Sequence, residues 1–161
     1  MSLAAIASLA VFAIVSVASA HETGSPHSHL PLLWPYHALL VTSGLLFMLG
    51  GMLTARYMKR KSWWLKAHKS LGVSGALLTL SGVIVAVYMV LTYNGTYLVE
   101  EPHAYLGIMA LALVIFTPNM GFMQFRIKDK RTRSVHRWSG RLAIVVVLIN
   151  AAAGWMIVRA V

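Results

Sequence analysis

The chain has 161 residues, of which 58% are apolar and 11% charged, with a formal net charge of +10 and a mean hydropathy of +0.72. Seven His, four acids and no Cys exclude a disulfide framework, Cys-ligated zinc, iron–sulfur clusters and covalent c-type haem. A disordered nucleic-acid arm is excluded as well, because such arms are polar, and long uncharged runs place the chain in a membrane.

Five apolar segments follow in chain order. Residues 2–20 carry no charge. They read as a signal peptide, with Ala18-Ser19-Ala20 as a small-residue cleavage site, or as a retained N-terminal transmembrane helix. The apolar core has no Lys or Arg before it, which is atypical of a signal peptide, and an uncleaved helix fits the same topology. Residues 21–31 form a polar outer segment with His21, His27 and His29. These read as solvated residues; cleavage after Ala20 would give His21 a free amine that, with its ring, could chelate copper.

The membrane domain, 32–161, holds four further segments at about 32–55, 64–92, 103–125 and 136–158. Each can cross a hydrocarbon core about 30 Å thick. Pro35 and Pro102 sit where helices start, and Pro118 is expected to kink the third helix. The expected fold is an all-α integral membrane protein: an up-down four-helix transmembrane bundle plus the N-terminal hydrophobic helix.

Thirteen of the fourteen Lys and Arg fall in or beside two connections, 56–69 and 126–141. The connection YNGTYLVEEP carries Glu100 and Glu101 and no cation. The positive-inside rule puts both basic loops in the cytoplasm and the C-terminus outside, in the cell (inner) membrane. Trp34, Tyr36, Tyr93, Tyr97, Tyr105 and Trp155 then cluster outside, and Tyr57, Trp63, Trp64 and Trp138 inside. Topology alone accounts for cations in loops this short, so nucleic acid is not an expected partner; membrane lipid is. Asn94-Gly95-Thr96 matches a glycosylation acceptor, though Asn94-Gly95 reads better as a turn.

Each of the four core segments carries one His. His37 lies about one turn into the first and His68 about one turn into the second; His103 opens the third and His136 the fourth. An up-down path puts His37 and His103 at the outer level, His68 and His136 at the inner. A single such His is often only an interfacial or hydrogen-bonded residue, but a matched set across four helices points to function. Zinc wants three or four ligands at one point, whereas two facing imidazoles fill both axial positions of a haem. The expected cofactors are therefore two non-covalent haem b, with His37/His103 as outer pair and His68/His136 as inner pair. At 1.5 Å per residue the irons would lie roughly 20 Å apart.

Small residues recur on the histidine faces: Gly44 and Gly51 after His37, Gly75 and Gly82 after His68, Ala110, Thr117 and Gly121 after His103, and Ala143, Asn150 and Gly154 after His136. Gly72, Gly107 and Gly140 lie four residues after a His. They could seat a macrocycle or merely let helices approach closely. Lys66, Lys69, Arg137 and Arg141 are candidate partners for the inner propionates, or plain flanking charges. Arg159 is the one outer cation, so the outer haem is expected to be the harder to reduce.

These residues resemble the cytochrome b561 family. The resemblance covers about 32–159 and rests on Tyr36-His37-Ala38, Ala67-His68-Lys69, Pro102-His103-Ala104 and Val135-His136-Arg137-Trp138-Ser139-Gly140-Arg141. It implies that the first and third core helices ligate one b haem and the second and fourth the other. The pattern is unlike the cytochrome b of quinol-oxidising complexes, where one helix carries two ligands, and unlike the bacterial four-helix b561 type, whose last helix gives two. It also lacks the sixth span of eukaryotic members, so their ascorbate sites have no counterpart that can be placed. The expected function is a di-haem b-type cytochrome carrying electrons across the membrane. Its inner donor would be a quinol or small reductant at the basic face; its outer acceptor would be ferric iron or a redox protein. It would act alone, as a homodimer or within a larger redox complex. The alternative is a non-redox membrane assembly protein, or a metal- or haem-handling one.

Overall fold

A computed structural model describes residues 32–98 and 100–160. Four helices follow in order: α1 (Trp34–Tyr57), α2 (Trp64–Asn94), α3 (Pro102–Ile127) and α4 (Lys130–Ala160). All four are long and apolar enough to cross a membrane. The expected N-terminal helix and the segment with His21, His27 and His29 lie outside the described residues.

The helix ends follow local chemistry. Pro35 and Pro102 open α1 and α3, where a missing N–H costs nothing. Gly95 closes α2 in the left-handed region at φ 66°, donating its N–H to Leu91 O at 3.0 Å; Asn94-Gly95 is thus a helix cap and turn. Lys128 closes α3 at φ 53°, an uncommon conformation for a residue with a Cβ. Asp129 then starts α4, its carboxylate accepting the Arg131 N–H at 3.1 Å.

The fourth helix starts earlier than hydropathy predicts. It begins at Lys130, so His136 lies nearly two turns inside α4 rather than at its opening. Hydropathy marks only the span in hydrocarbon. Lys130, Arg131 and Arg133 are good helix formers that extend the helix past the apolar boundary while keeping their heads in water. Pro118 lies within α3, which is assigned as one helix across it.

The bundle is two antiparallel hairpins. α1 packs closely on α2 and α3 on α4, while the two hairpins touch each other thinly through α2–α3 and α1–α4. The closest approach is in the first hairpin. A Cβ on Gly44 would lie 2.8 Å from Gly75 O and 2.9 Å from Thr79 N, and one on Gly75 would lie 2.8 Å from Gly44 O. Backbone meets backbone there, which only glycine permits. Thr79 is buried in the same contact and spends its hydroxyl on Gly75 O at 3.0 Å.

Two apolar clusters hold the interior. Leu33, Leu40 and Val85 pack within the first hairpin. Leu45, Ala110, Val114, Val146 and Val147 join both hairpins at mid-bundle. Elsewhere large apolar side chains face outward, as at Leu39, Leu46 and Leu53 on α1 and Ile108, Ile115 and Phe122 on α3. Seven-residue spacing makes each set one stripe along its helix, as a lipid-facing surface requires.

Candidate functional site

The four histidines form two pairs across the diagonals of the bundle. His37 on α1 meets His103 on α3, with ring centroids 6.2 Å apart and planes at 88°. His68 on α2 meets His136 on α4 at 6.0 Å and 73°. Contact between these diagonal helices is otherwise marginal at most. The first pair lies toward the end bearing Glu100 and Glu101, the acidic end; the second lies toward the basic loops.

One hydrogen-bond rule fixes all four rings. His37 Nδ1 donates to Gly82 O at 2.8 Å, and His68 Nδ1 to Gly51 O at 2.8 Å. His103 Nδ1 donates to Asn150 O at 3.0 Å, and His136 Nδ1 to Thr117 O at 2.9 Å. Each acceptor stands fourteen residues after the His on the other helix of the same hairpin. A carbonyl oxygen only accepts, so every Nδ1 carries the proton and every Nε2 keeps its lone pair. Among the described residues no hydrogen bond engages any of the four Nε2 atoms. Metal-ligating histidines have this arrangement: one nitrogen tied to a carbonyl, the other offered to the metal.

The separation suits a shared metal. An imidazole nitrogen binds a transition metal at about 2.0–2.1 Å, so two collinear ligands place their ring centroids about 6.3 Å apart. The observed 6.2 and 6.0 Å match. Among the described residues no group of three or more His, Cys, Asp or Glu converges to hold a metal ion. A metal held by two imidazoles needs equatorial ligands from elsewhere, and a porphyrin supplies four.

Space around the rings is kept by glycine. A Cβ on Gly154 would lie 2.8 Å from His103 Cε1, and one on Gly121 would lie 3.0 Å from His136 Cε1. Gly72, one turn after His68, has nothing within 4 Å of its would-be Cβ. Two buried side-chain atoms lack partners among the described residues: Thr117 Oγ1 and Asn150 Oδ1, on the two residues of the second hairpin whose carbonyls anchor histidines. The first hairpin has glycine at both corresponding positions.

The other candidates divide. Gly44 and Gly75 serve the α1–α2 approach; a Cβ on Gly82 would meet Val41 Cγ2 at 2.7 Å, and one on Gly140 would meet Thr117 Cγ2 at 3.4 Å. Close helix packing accounts for these four. Gly82 is also the residue whose carbonyl anchors His37. Lys66, Lys69, Arg137, Arg141 and Arg159 are all exposed. Lys69 Nζ rests 3.9 Å from the Phe125 ring centroid, tying α2 to α3 beside His68. Arg141 lies over Trp138 at 5.0 Å and Arg159 over Trp155 at 5.8 Å.

No family model, curated protein or solved structure matches the chain. The site therefore rests on its own geometry. Sequence spacing located the four histidines and Gly121 and Gly154, but not the carbonyl anchors. The signal for those is the fourteen-residue offset, which puts an acceptor at the same depth as the partner helix's ring.

Proposed function

We propose that the chain is a di-haem b-type cytochrome that carries electrons across a membrane, of the kind the cytochrome b561 resemblance implies. The observation that carries this reading is the pair of diagonal imidazole contacts at 6.2 and 6.0 Å, with every Nδ1 committed to a carbonyl. His37 and His103 would hold one haem, His68 and His136 the other. When bound, each supplies reversible one-electron chemistry.

The chain's own residues do the rest. The four carbonyls fix the imidazole tautomers and make the free nitrogens better donors. Leu45, Ala110, Val114, Val146 and Val147 exclude water between the two levels. Lys69, Arg137 and Arg141 stand near the basic-end pair as partners for propionates; Lys69 would exchange the Phe125 face for a carboxylate. The positive-inside rule puts the basic loops in the cytoplasm of a cell membrane.

A reduced-minus-oxidised spectrum of the purified protein is the test. A b-type α band with two haems per chain is expected, and its absence would sink the reading in favour of a non-redox assembly or haem-handling role. His68→Ala should remove one haem and leave the other; retention of both would refute the pairing.

A further inference from the structure

Among the described residues, Asn119 is the one side-chain amide exposed on the outer surface of a span. Asn94 ends α2, Gln124 lies in the last turn of α3, and Asn150 is buried. Asn119 stands on α3, seven residues and about 10 Å inward of Arg126, a cation at the basic end of that helix. One of its N–H groups is spent locally, donated from Nδ2 to Ile115 O at 2.7 Å. Its second N–H and its Oδ1 have no partner among the described residues. Hydrocarbon offers an amide neither donor nor acceptor, so an amide left open there is costly.

The surface around Asn119 is patterned as a seam between helices. Tyr105, Ile108, Ala112, Ile115, Asn119 and Phe122 are all exposed and recur at alternating steps of three and four residues. That is a heptad pattern about 26 Å long, with Tyr105, Ala112 and Asn119 at one seam position and Ile108, Ile115 and Phe122 at the other. Ala112 is small, so a facing backbone can approach two turns from the amide. α3 is also the helix least covered by its own bundle: 11% of its most apolar stretch is buried, against 22% in each of the other three. The stripe of Leu39, Leu46 and Leu53 on α1 carries no amide, and lipid satisfies it.

We propose that this face of α3 is a self-association surface, paired through Asn119 with the same face of a second copy of the chain in the same membrane. The occupant follows from the chemistry. The positive-inside rule gives all copies one orientation, so a two-fold axis along the membrane normal brings the two Asn119 residues together at one depth. An amide is its own complement: each donates its remaining N–H to the other's Oδ1. A lipid chain supplies neither donor nor acceptor. A single Asn in an apolar seam also fixes register and favours a two-helix contact. The pairing goes beyond the reading of the histidine pairs and does not depend on what they hold.

The test uses the full chain in cell membranes and in phosphatidylcholine vesicles. Because the chain has no Cys, Ala112→Cys places a single thiol on the seam and Leu46→Cys one on the α1 stripe. Under copper phenanthroline, Ala112→Cys should give a disulfide-linked dimer of the chain, and Leu46→Cys should stay monomeric. Energy transfer between labelled copies, titrated by diluting the protein with lipid, reads the affinity. Asn119→Leu should weaken it about 3–30-fold with helical circular dichroism unchanged, and Asn119→Gln, which keeps the amide, should recover most of the loss. Equal cross-linking from both thiols, parental affinity in Asn119→Leu, or a wild type that stays monomeric at the highest protein-to-lipid ratio would each overturn the proposal. So would cross-linking of Ala112→Cys to a different membrane protein in place of itself. The cross-linking arm keeps Asn119, so it decides the matter if Asn119→Leu fails to fold.

Discussion

If the histidine pairs hold haem as proposed, replacing Gly154 with Ala should cost the bundle one haem and keep the other. The new Cβ would lie 2.8 Å from His103 Cε1 and 3.2 Å from its Nδ1. Carbon atoms rest at about 3.5–4.0 Å, so the ring must withdraw by roughly 0.7–1.2 Å. That movement strains or breaks the 3.0 Å bond from His103 Nδ1 to Asn150 O. Loss of the bond costs about 0.5–1.5 kcal/mol and overpacking about 1–3 kcal/mol. Together these are about 1.5–4.5 kcal/mol, a ten- to thousandfold loss of affinity at the His37/His103 site. Alanine is otherwise the better helix former by about 1 kcal/mol, so a weaker helix cannot be the cause. Haem titration into the apoprotein, with the haem-to-protein ratio read as the pyridine haemochrome, measures the effect. One tight haem is expected where the proposed function gives the parent two. Gly121→Ala, with its Cβ 3.0 Å from His136 Cε1, should spare the acidic-end haem and weaken the other, more mildly. Two haems of parental affinity in both variants would refute the argument that these glycines make room for ligand rings.

Three further outcomes are expected. Gly44→Ala drives a Cβ into the backbone of Gly75 and Thr79, so it should lower the thermal midpoint and loosen both haems together, by about 1–3 kcal/mol, seen as coincident loss of helical circular dichroism and haem absorbance. The two ring pairs differ in interplanar angle, 88° against 73°, so the ferric protein should give two low-spin resonances in electron paramagnetic resonance, the more anisotropic lost in His37→Ala and the other in His68→Ala. Because the chain has no Cys, single replacements report sidedness cleanly: Ser62→Cys should be labelled by an impermeant maleimide only in inside-out vesicles, and Thr96→Cys only in right-side-out ones.

Hydropathy and Pro35, Pro102 and Gly95 made the four helices legible, because membrane spans must be apolar and their ends must be capped. The same signal misjudged the start of α4, since hydropathy is blind to a helix that continues into water on Lys130, Arg131 and Arg133. The one-His-per-helix pattern located both pairs. It did not reveal that the second hairpin differs from the first in how it surrounds its rings. There Asn150 and Thr117 replace the glycines of the first hairpin, and Gly121 and Gly154 clear space beside the rings. Periodicity marks such positions only as small; which neighbour each small residue admits depends on the helix it faces. That is why Gly44 and Gly75 read from sequence like Gly121 and Gly154 yet face backbone instead of imidazole.

The layer of Leu45, Ala110, Val114, Val146 and Val147 between the two histidine levels has an electrical consequence. Apolar side chains conduct no ions, so in a membrane part of the transmembrane potential would fall across this layer. Under the proposed function, an electron passing between the levels would move through that drop. A full unit charge crossing 100 mV does about 2.3 kcal/mol of work, so half of that field would bias the exchange by about sevenfold. With the basic loops inside and the cell interior negative, electron flow from the acidic end toward the basic end would run against the field, and the reverse would run with it. Were the two levels to exchange electrons as proposed, this packing of Leu, Ala and Val side chains would make the balance of forward and reverse transfer depend on membrane voltage.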